Sequence, residues 1–293
     1  MRWRSLLGHP EAERALGPAA TALRLTLLSV LILPVGSWAV RTPTLVLAAL
    51  GLLERRVLLA PATWLLLAML TGLRLVLDWP LPDNHAYLLA YWCLAVFLAL
   101  VSSTPEGVLA GAARWLVGLA FLFSLLWKVL LAPEYLDGRF FRVTLMTDNR
   151  FAEAAMLFGG LTEEDLRMNR EALRPLPEGA ELLDPPVLVE PPAFRGLAAA
   201  ATWWLVGIES LVAVAFLGWR RGWFRHFALI GFCVLTYAMA PVAGFGWLLL
   251  ALGLAQCDPN ERGLRAAYVT SFFLVLAYAG VPWTRLLLSL RGG

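Results

Sequence analysis

At 293 residues with 60% hydrophobic content and a mean hydropathy of +0.70, the chain is too apolar for a soluble domain of its size. Its net charge of +3 is spread over loops, with no basic stripe of the kind that holds nucleic acid. The three cysteines, Cys93, Cys233 and Cys257, are far apart and form no CxxC pattern, which argues against a disulfide framework, a zinc site or a dithiol redox centre.

The chain opens with Arg2, Arg4, Glu11, Glu13 and Arg14 around Trp3, Leu6 and Leu7. Residues 1–19 therefore read as an interfacial amphipathic segment. The next apolar run, 22–33, resembles a signal sequence, but the cleavage pattern after Pro34 is weak, and it reads as a retained first span. Apolar runs predict membrane segments at about 20–40, 42–55, 57–78, 85–102, 109–131, 196–218, 224–240, 245–257 and 266–288. The second is the weakest, and reads as a short tilted or re-entrant helix. The fold expected is all-α: a polytopic helical membrane bundle of about eight or nine membrane segments, divided as 20–131 and 196–293, with a small helical extracytoplasmic cap at 132–195. No internal repeat is apparent.

Orientation is read from the short loops. Arg55 and Arg56, then Arg220, Arg221 and Arg225, then Arg262 and Arg265 fall on one side of this span list, which the positive-inside bias makes cytoplasmic. The long loop falls on the other side, with 12 acidic residues against seven arginines. Within it, Asp148-Asn149-Arg150 leads into a helix that Gly159-Gly160 stops. Thr162 to Asp165 resembles a capping box that starts a helix to about Leu173. The proline-rich stretch 175–192 is expected to be extended.

Against 23 arginines the chain has one lysine, Lys128, inside the apolar run 108–133. Arginine keeps its proton in proteins, whereas a desolvated lysine can serve as a base. Lys128 thus reads either as an interfacial anchor reaching for water or as a group that moves protons. His85, at the start of the fourth span after Asp83 and Asn84, is either a polar helix start or a functional imidazole. The fourth and fifth spans are antiparallel neighbours, which predicts similar depth for His85 and Lys128, with Tyr87, Tyr91 and Trp127 as apolar walls. Glu209 interrupts the sixth span near its middle, where a carboxylate needs a partner or a proton. A structural ion pair, with Lys128 as one conceivable partner, and a catalytic role are both open. Arg74 and Asp78, four apart, are expected to pair on one helix face, and Arg74 is also suited to answering a substrate carboxylate. His226 reads as structural.

The strings DNHAYLL and WKVLLAPEYLDG resemble the vitamin K-dependent gamma-carboxylase-like membrane family, whose bacterial members are called horizontally transferred transmembrane domain proteins. That family shows Asn-His before an aromatic and a Leu, and later a Lys followed by aromatic-Leu-x-Gly. Here these match Asn84, His85, Tyr87 and Leu88, then Lys128 with Tyr135, Leu136 and Gly138. The resemblance implies a reduced quinone as cofactor, Lys128 as the base that deprotonates it, and His85 as the group assisting at a carbanion. Asn84 and Tyr87, which the motif matches, are expected around quinone or substrate, and the reading of the residues adds Tyr91, Trp127, Arg74 and Glu209. It implies a bacterial inner-membrane enzyme working at the external face on a peptide or protein substrate. The large domain that comes after the bundle in the carboxylase has no counterpart here. The alternative expectation is therefore a non-catalytic subunit or scaffold that holds partner membrane chains. A carrier using Glu209 as a proton site is a third reading.

Overall fold

The computed structural model describes residues 16–33, 36–80, 83–176, 179, 186–218, 222–239, 242–281, 286–287 and 289–290. The predicted amphipathic segment before Leu16 lies outside them, as do Arg220 and Arg221. Every regular element among the described residues is helical. In chain order these are α1 (Pro18–Ile32), α2 (Trp38–Leu53), the single turn α3 (Arg55–Leu58), α4 (Pro61–Leu77), α5 (Asn84–Val101) and α6 (Pro105–Leu126). A π-helical turn (Trp127–Leu131) extends α6. Short helices come next: α7 (Pro133–Leu136), α8 (Arg139–Thr147), a 3-10 turn (Asn149–Phe151), α9 (Ala152–Gly159) and α10 (Glu163–Ala172). The chain ends in α11 (Pro192–Gly218), α12 (Trp223–Met239), α13 (Ala243–Leu254) and α14 (Arg262–Gly280).

Three of these are long and apolar enough to cross a membrane: α5, α6 with its π turn, and α11. The latter two have 27 residues each, about 40 Å at 1.5 Å per residue, against about 30 Å of hydrocarbon. The apolar helices α1, α2, α4, α12 and α13 are shorter.

The first predicted span, 20–40, stops early. Leu33 leaves the helix with φ −116 and ψ 75, as expected of a residue before proline. Gly36 takes φ +99, which glycine adopts without steric cost. Ser37, in extended conformation, then starts α2 at Trp38, so Pro43 and Arg41 lie inside a helix and not between two.

The chain divides into two compact units. The first comprises 1–121, 212–237 and 242–276, and the second 122–211, 238–241 and 277–293. In the first unit, α13 is apolar on every side and all its residues from Gly246 to Leu254 are buried, the behaviour of a central helix. Buried indoles find acceptors: Trp92 Nε1 donates to Thr26 Oγ1 at 3.0 Å, Trp64 Nε1 to Leu58 O at 2.7 Å and Trp247 Nε1 to Phe272 O at 3.2 Å. Arg114 donates to the carbonyls of Phe216 and Leu217 at 2.7 and 3.0 Å, satisfying groups that the end of α11 leaves free. The three cysteines are buried and free.

The second unit has its own core, built by Phe141, Leu145 and Met146 of α8, Ala155 of α9, Leu161, Leu166 of α10, and Phe194 and Ala198 of α11. The Thr162 capping box forms as the sequence suggests, with Asp165 N donating to Thr162 Oγ1 at 3.1 Å and Thr162 N to Asp165 Oδ2 at 2.8 Å. Gly160, with φ +72, closes α9. The proline-rich return is tied down by the buried Asn169, whose amide donates to Val189 O at 2.9 Å and accepts from Val189 N at 2.8 Å. Arg142 adds a two-pronged pair with Glu190.

Candidate functional site: a buried lysine and glutamate

Why Lys128 sits where it does begins with Pro133. Proline disfavours helical backbone at the residue before it, and Ala132 accordingly takes φ −132 and ψ 73. Upstream of that break the helix widens into the π turn, which carries one extra residue and so rotates the residues after it by about 100° relative to an α-helix. Such turns recur at functional sites. Lys128 is the residue of the turn that is buried, at 6% exposure.

Its ammonium meets three acceptors. Lys128 Nζ donates to Glu209 Oε1 at 2.7 Å, to Glu209 Oε2 at 2.6 Å and to Ser124 Oγ at 2.7 Å. Ser124, one turn earlier on α6, donates its own proton to Glu209 Oε2 at 3.3 Å. Glu209 is 5% exposed and comes from α11, so the pair bridges the two longest helices inside the second unit. Above it, the Tyr135 ring lies 5.4 Å from Lys128 Nζ, in cation–π range. Tyr135 stacks on Phe140 at 3.9 Å and meets the edge of Trp127 at 5.7 Å. Burial, with Glu209 and Glu134 nearby, pushes the Tyr135 phenol up to about 12, so it stays neutral and offers the lysine an undisturbed π face. Gly138, with φ +80, turns the chain after Tyr135 into α8.

The other predicted site residues belong to the first unit, except Trp127, which lies on the π turn and exposes half of its surface. Asn84 is exposed at the first position of α5, Tyr87 is half-buried and Tyr91 faces outward. Arg74 pairs with Asp78 as the spacing predicts, Nε to Oδ2 at 3.1 Å. His85 and Arg74 both line a cleft, together with Arg41. His226 is buried, its Nδ1 2.9 Å from Tyr268 Oη, and Gly253 gives Tyr268 room: a Cβ there would lie 2.3 Å from the ring. That is a packing arrangement in the fold.

Two contributors are not singled out by the sequence. Ser124 is four residues before Lys128, a spacing that places both on one helix face, and that spacing is the available signal. Arg41 falls between two predicted spans, so its place on α2 is hidden by the misplaced boundary. Compared with known proteins, the chain has no match: no family model, curated protein or solved structure is significantly similar to it.

The arrangement can store and move a proton. A carboxylate, a hydroxyl and an amine in contact allow the proton on Lys128 Nζ to pass to Glu209, leaving an amine and a carboxylic acid of no net charge.

Proposed function

We propose that this chain is a polytopic enzyme of the bacterial inner membrane whose proton-handling centre is the Lys128–Glu209 pair. Its substrate in that step is a reduced quinone of the vitamin K type. About eight or nine segments sit in the membrane, the 132–195 region faces outward and the short Arg-rich loops face the cytoplasm. The observation that carries this reading is that the chain's single lysine is buried against the one carboxylate of α11, on a π turn.

The residues around Lys128 suit a flat apolar ring: Trp127 and Tyr135 offer aromatic surface next to the amine. Bound there, the quinol supplies an acidic hydroxyl and, with dioxygen as oxidant, the reducing equivalents that the family resemblance implies. Lys128, as the amine, takes the hydroxyl proton and becomes ammonium. Glu209 and Ser124 hold that ammonium in place and fix its direction. Tyr135 covers it from water. His85 keeps the assisting role that the resemblance assigns, to be tested by its own variant.

Lys128→Arg is the deciding substitution. Charge and reach persist, but a guanidinium does not release its proton. Quinol-dependent activity is expected to disappear while the protein folds.

A second reading is favoured by one observation: three acceptors occupy all three donor hydrogens of the ammonium. A saturated pair of that kind suits a clamp between α6 and α11 in a non-catalytic membrane subunit, which holds partner chains through its apolar surface. Under that reading Lys128→Arg leaves every function of the protein intact.

A further inference from the structure

Of the residues to which the proposed function gives a role, only His85 lines the cleft in the first unit. It opens where the C-terminal ends of α1 and α4 meet the N-terminal ends of α2, α5 and α13. Its charged lining is cationic, from Arg41 and Arg74, with the His85 imidazole beside them. The nearby carboxylates are already engaged: Asp78 by Arg74 Nε at 3.1 Å, and Asp83 by His85 Nδ1 at 3.9 Å. Arg41 has no carboxylate partner among the described residues. The hydroxyls of Ser29, Thr44 and Thr71 each donate to a carbonyl of their own helix, at 2.8, 2.8 and 2.7 Å, so they cannot serve as donors to an anion. The remaining wall is apolar, formed by Val30, Leu33, Val40, Leu45, Leu89 and Leu248. Gly244 keeps the histidine edge open, because a Cβ there would sit 3.2 Å from His85 Nε2 and 3.1 Å from Leu33 Cδ1.

We propose that this cleft binds a phosphate-bearing amphiphile, with the phosphate on Arg41 and Arg74 and the hydrocarbon chain along the apolar wall. A cation is repelled by two guanidiniums. A neutral lipid leaves Arg41 without a counter-ion beside apolar surface, and a small soluble anion leaves the apolar wall wet. Arg41 and Arg74 come from two different helices, and two guanidiniums match the oxygens of a tetrahedral phosphate better than a planar carboxylate, whose two oxygens one guanidinium satisfies. The proposal rests on Arg41, Arg74 and the apolar wall and not on Lys128, and its test reads binding alone.

The test uses the full chain purified in an uncharged detergent, with ligand-induced stabilisation read by thermal unfolding. Four probes are compared: phosphatidic acid, diacylglycerol, oleate and inorganic phosphate. Phosphatidic acid is expected to raise the unfolding temperature in a saturable way, and the other three to leave it unchanged. Arg41→Gln should weaken the apparent affinity about tenfold, the loss of one charge-assisted contact. Arg41→Lys should retain most of it, and Arg56→Gln, at an arginine beyond the other end of α2, should match the wild type. Because Arg41 is exposed, Arg41→Gln without lipid should unfold at the wild-type temperature. Equal stabilisation by diacylglycerol overturns the anionic site, and equal stabilisation by oleate overturns the phosphate. Saturation by inorganic phosphate alone overturns the amphiphile. An unchanged response in Arg41→Gln, or an equal loss in Arg56→Gln, overturns the location.

Discussion

Lys128 and Glu209 are each stable in an apolar setting only because of the other, and the consequences of separating them are steep. Removing one partner of a buried ion pair leaves an uncompensated charge, at a cost of about 3–5 kcal/mol. Glu209→Gln should therefore lower the unfolding free energy by that order, measured in detergent by chemical or thermal unfolding. The double variant Lys128→Met with Glu209→Leu removes both charges and should recover much of the loss, since apolar residues of similar volume often replace such pairs at little cost. A double variant no more stable than Glu209→Gln would mean that the pair does more for the fold than neutralise itself. At this scale the sequence is informative where chemistry is rare: one lysine among arginines, one carboxylate in an apolar helix. Ser124 and Arg41 carry no such rarity, and only their helix registers bring them into the sites.

Helix ends and turns are where the elements depart from hydropathy. The π turn leaves no hydropathic signature, because widening a turn changes register without changing composition. Pro133 marks where the helix must end and not how it reaches that end. The start of α2 is likewise hidden, since residues 33–37 are mostly apolar although Gly36 and Ser37 break the helix. The Thr162 capping box is legible because its signal is local. Thr162→Ala should cost about 1 kcal/mol, seen as faster amide exchange in α10. Hydrogen bonds from the Thr162 side chain and backbone hold the Asp165 carboxyl below its usual range. A folded pKa below the unfolded one stabilises above the unfolded value and is lost as pH falls through the folded one. Exchange protection at the start of α10 should thus decline at acidic pH in the wild type, and show no such step in Asp165→Asn. In the first unit, Gly253→Ala would drive a Cβ to 2.3 Å from the Tyr268 ring, which is itself fully buried and bonded to His226. Overpacking of this kind costs about 1–3 kcal/mol, and the unfolding temperature should fall accordingly. Wild-type stability in that variant would show that Tyr268 can swing away.

For the whole molecule, the all-helical, strongly apolar character is evident from composition. Among the described residues three helices have membrane length, and five further apolar helices are shorter. The short helices between α6 and α11 are foreshadowed by turn and capping signals, whereas the core around Phe141 and Phe194 depends on long-range packing that no local pattern encodes. Its side of the membrane is testable directly. The native cysteines are buried, so single cysteines placed at the exposed Glu164 and Glu171 should react with an impermeant maleimide from outside intact cells. Reaction only after the membrane is opened would reverse the orientation.

Whether Lys128 moves a proton is decided most directly by quinol turnover. Membranes containing the wild-type chain are to be compared with membranes containing Lys128→Arg and with membranes lacking the chain, for dioxygen-dependent consumption of a vitamin K-type hydroquinone. Unfolding temperatures are measured on the same preparations. A proton-moving Lys128 predicts consumption by the wild type and background consumption by a folded Lys128→Arg protein. Wild-type consumption no higher than that of membranes lacking the chain, or full consumption by Lys128→Arg, would contradict it.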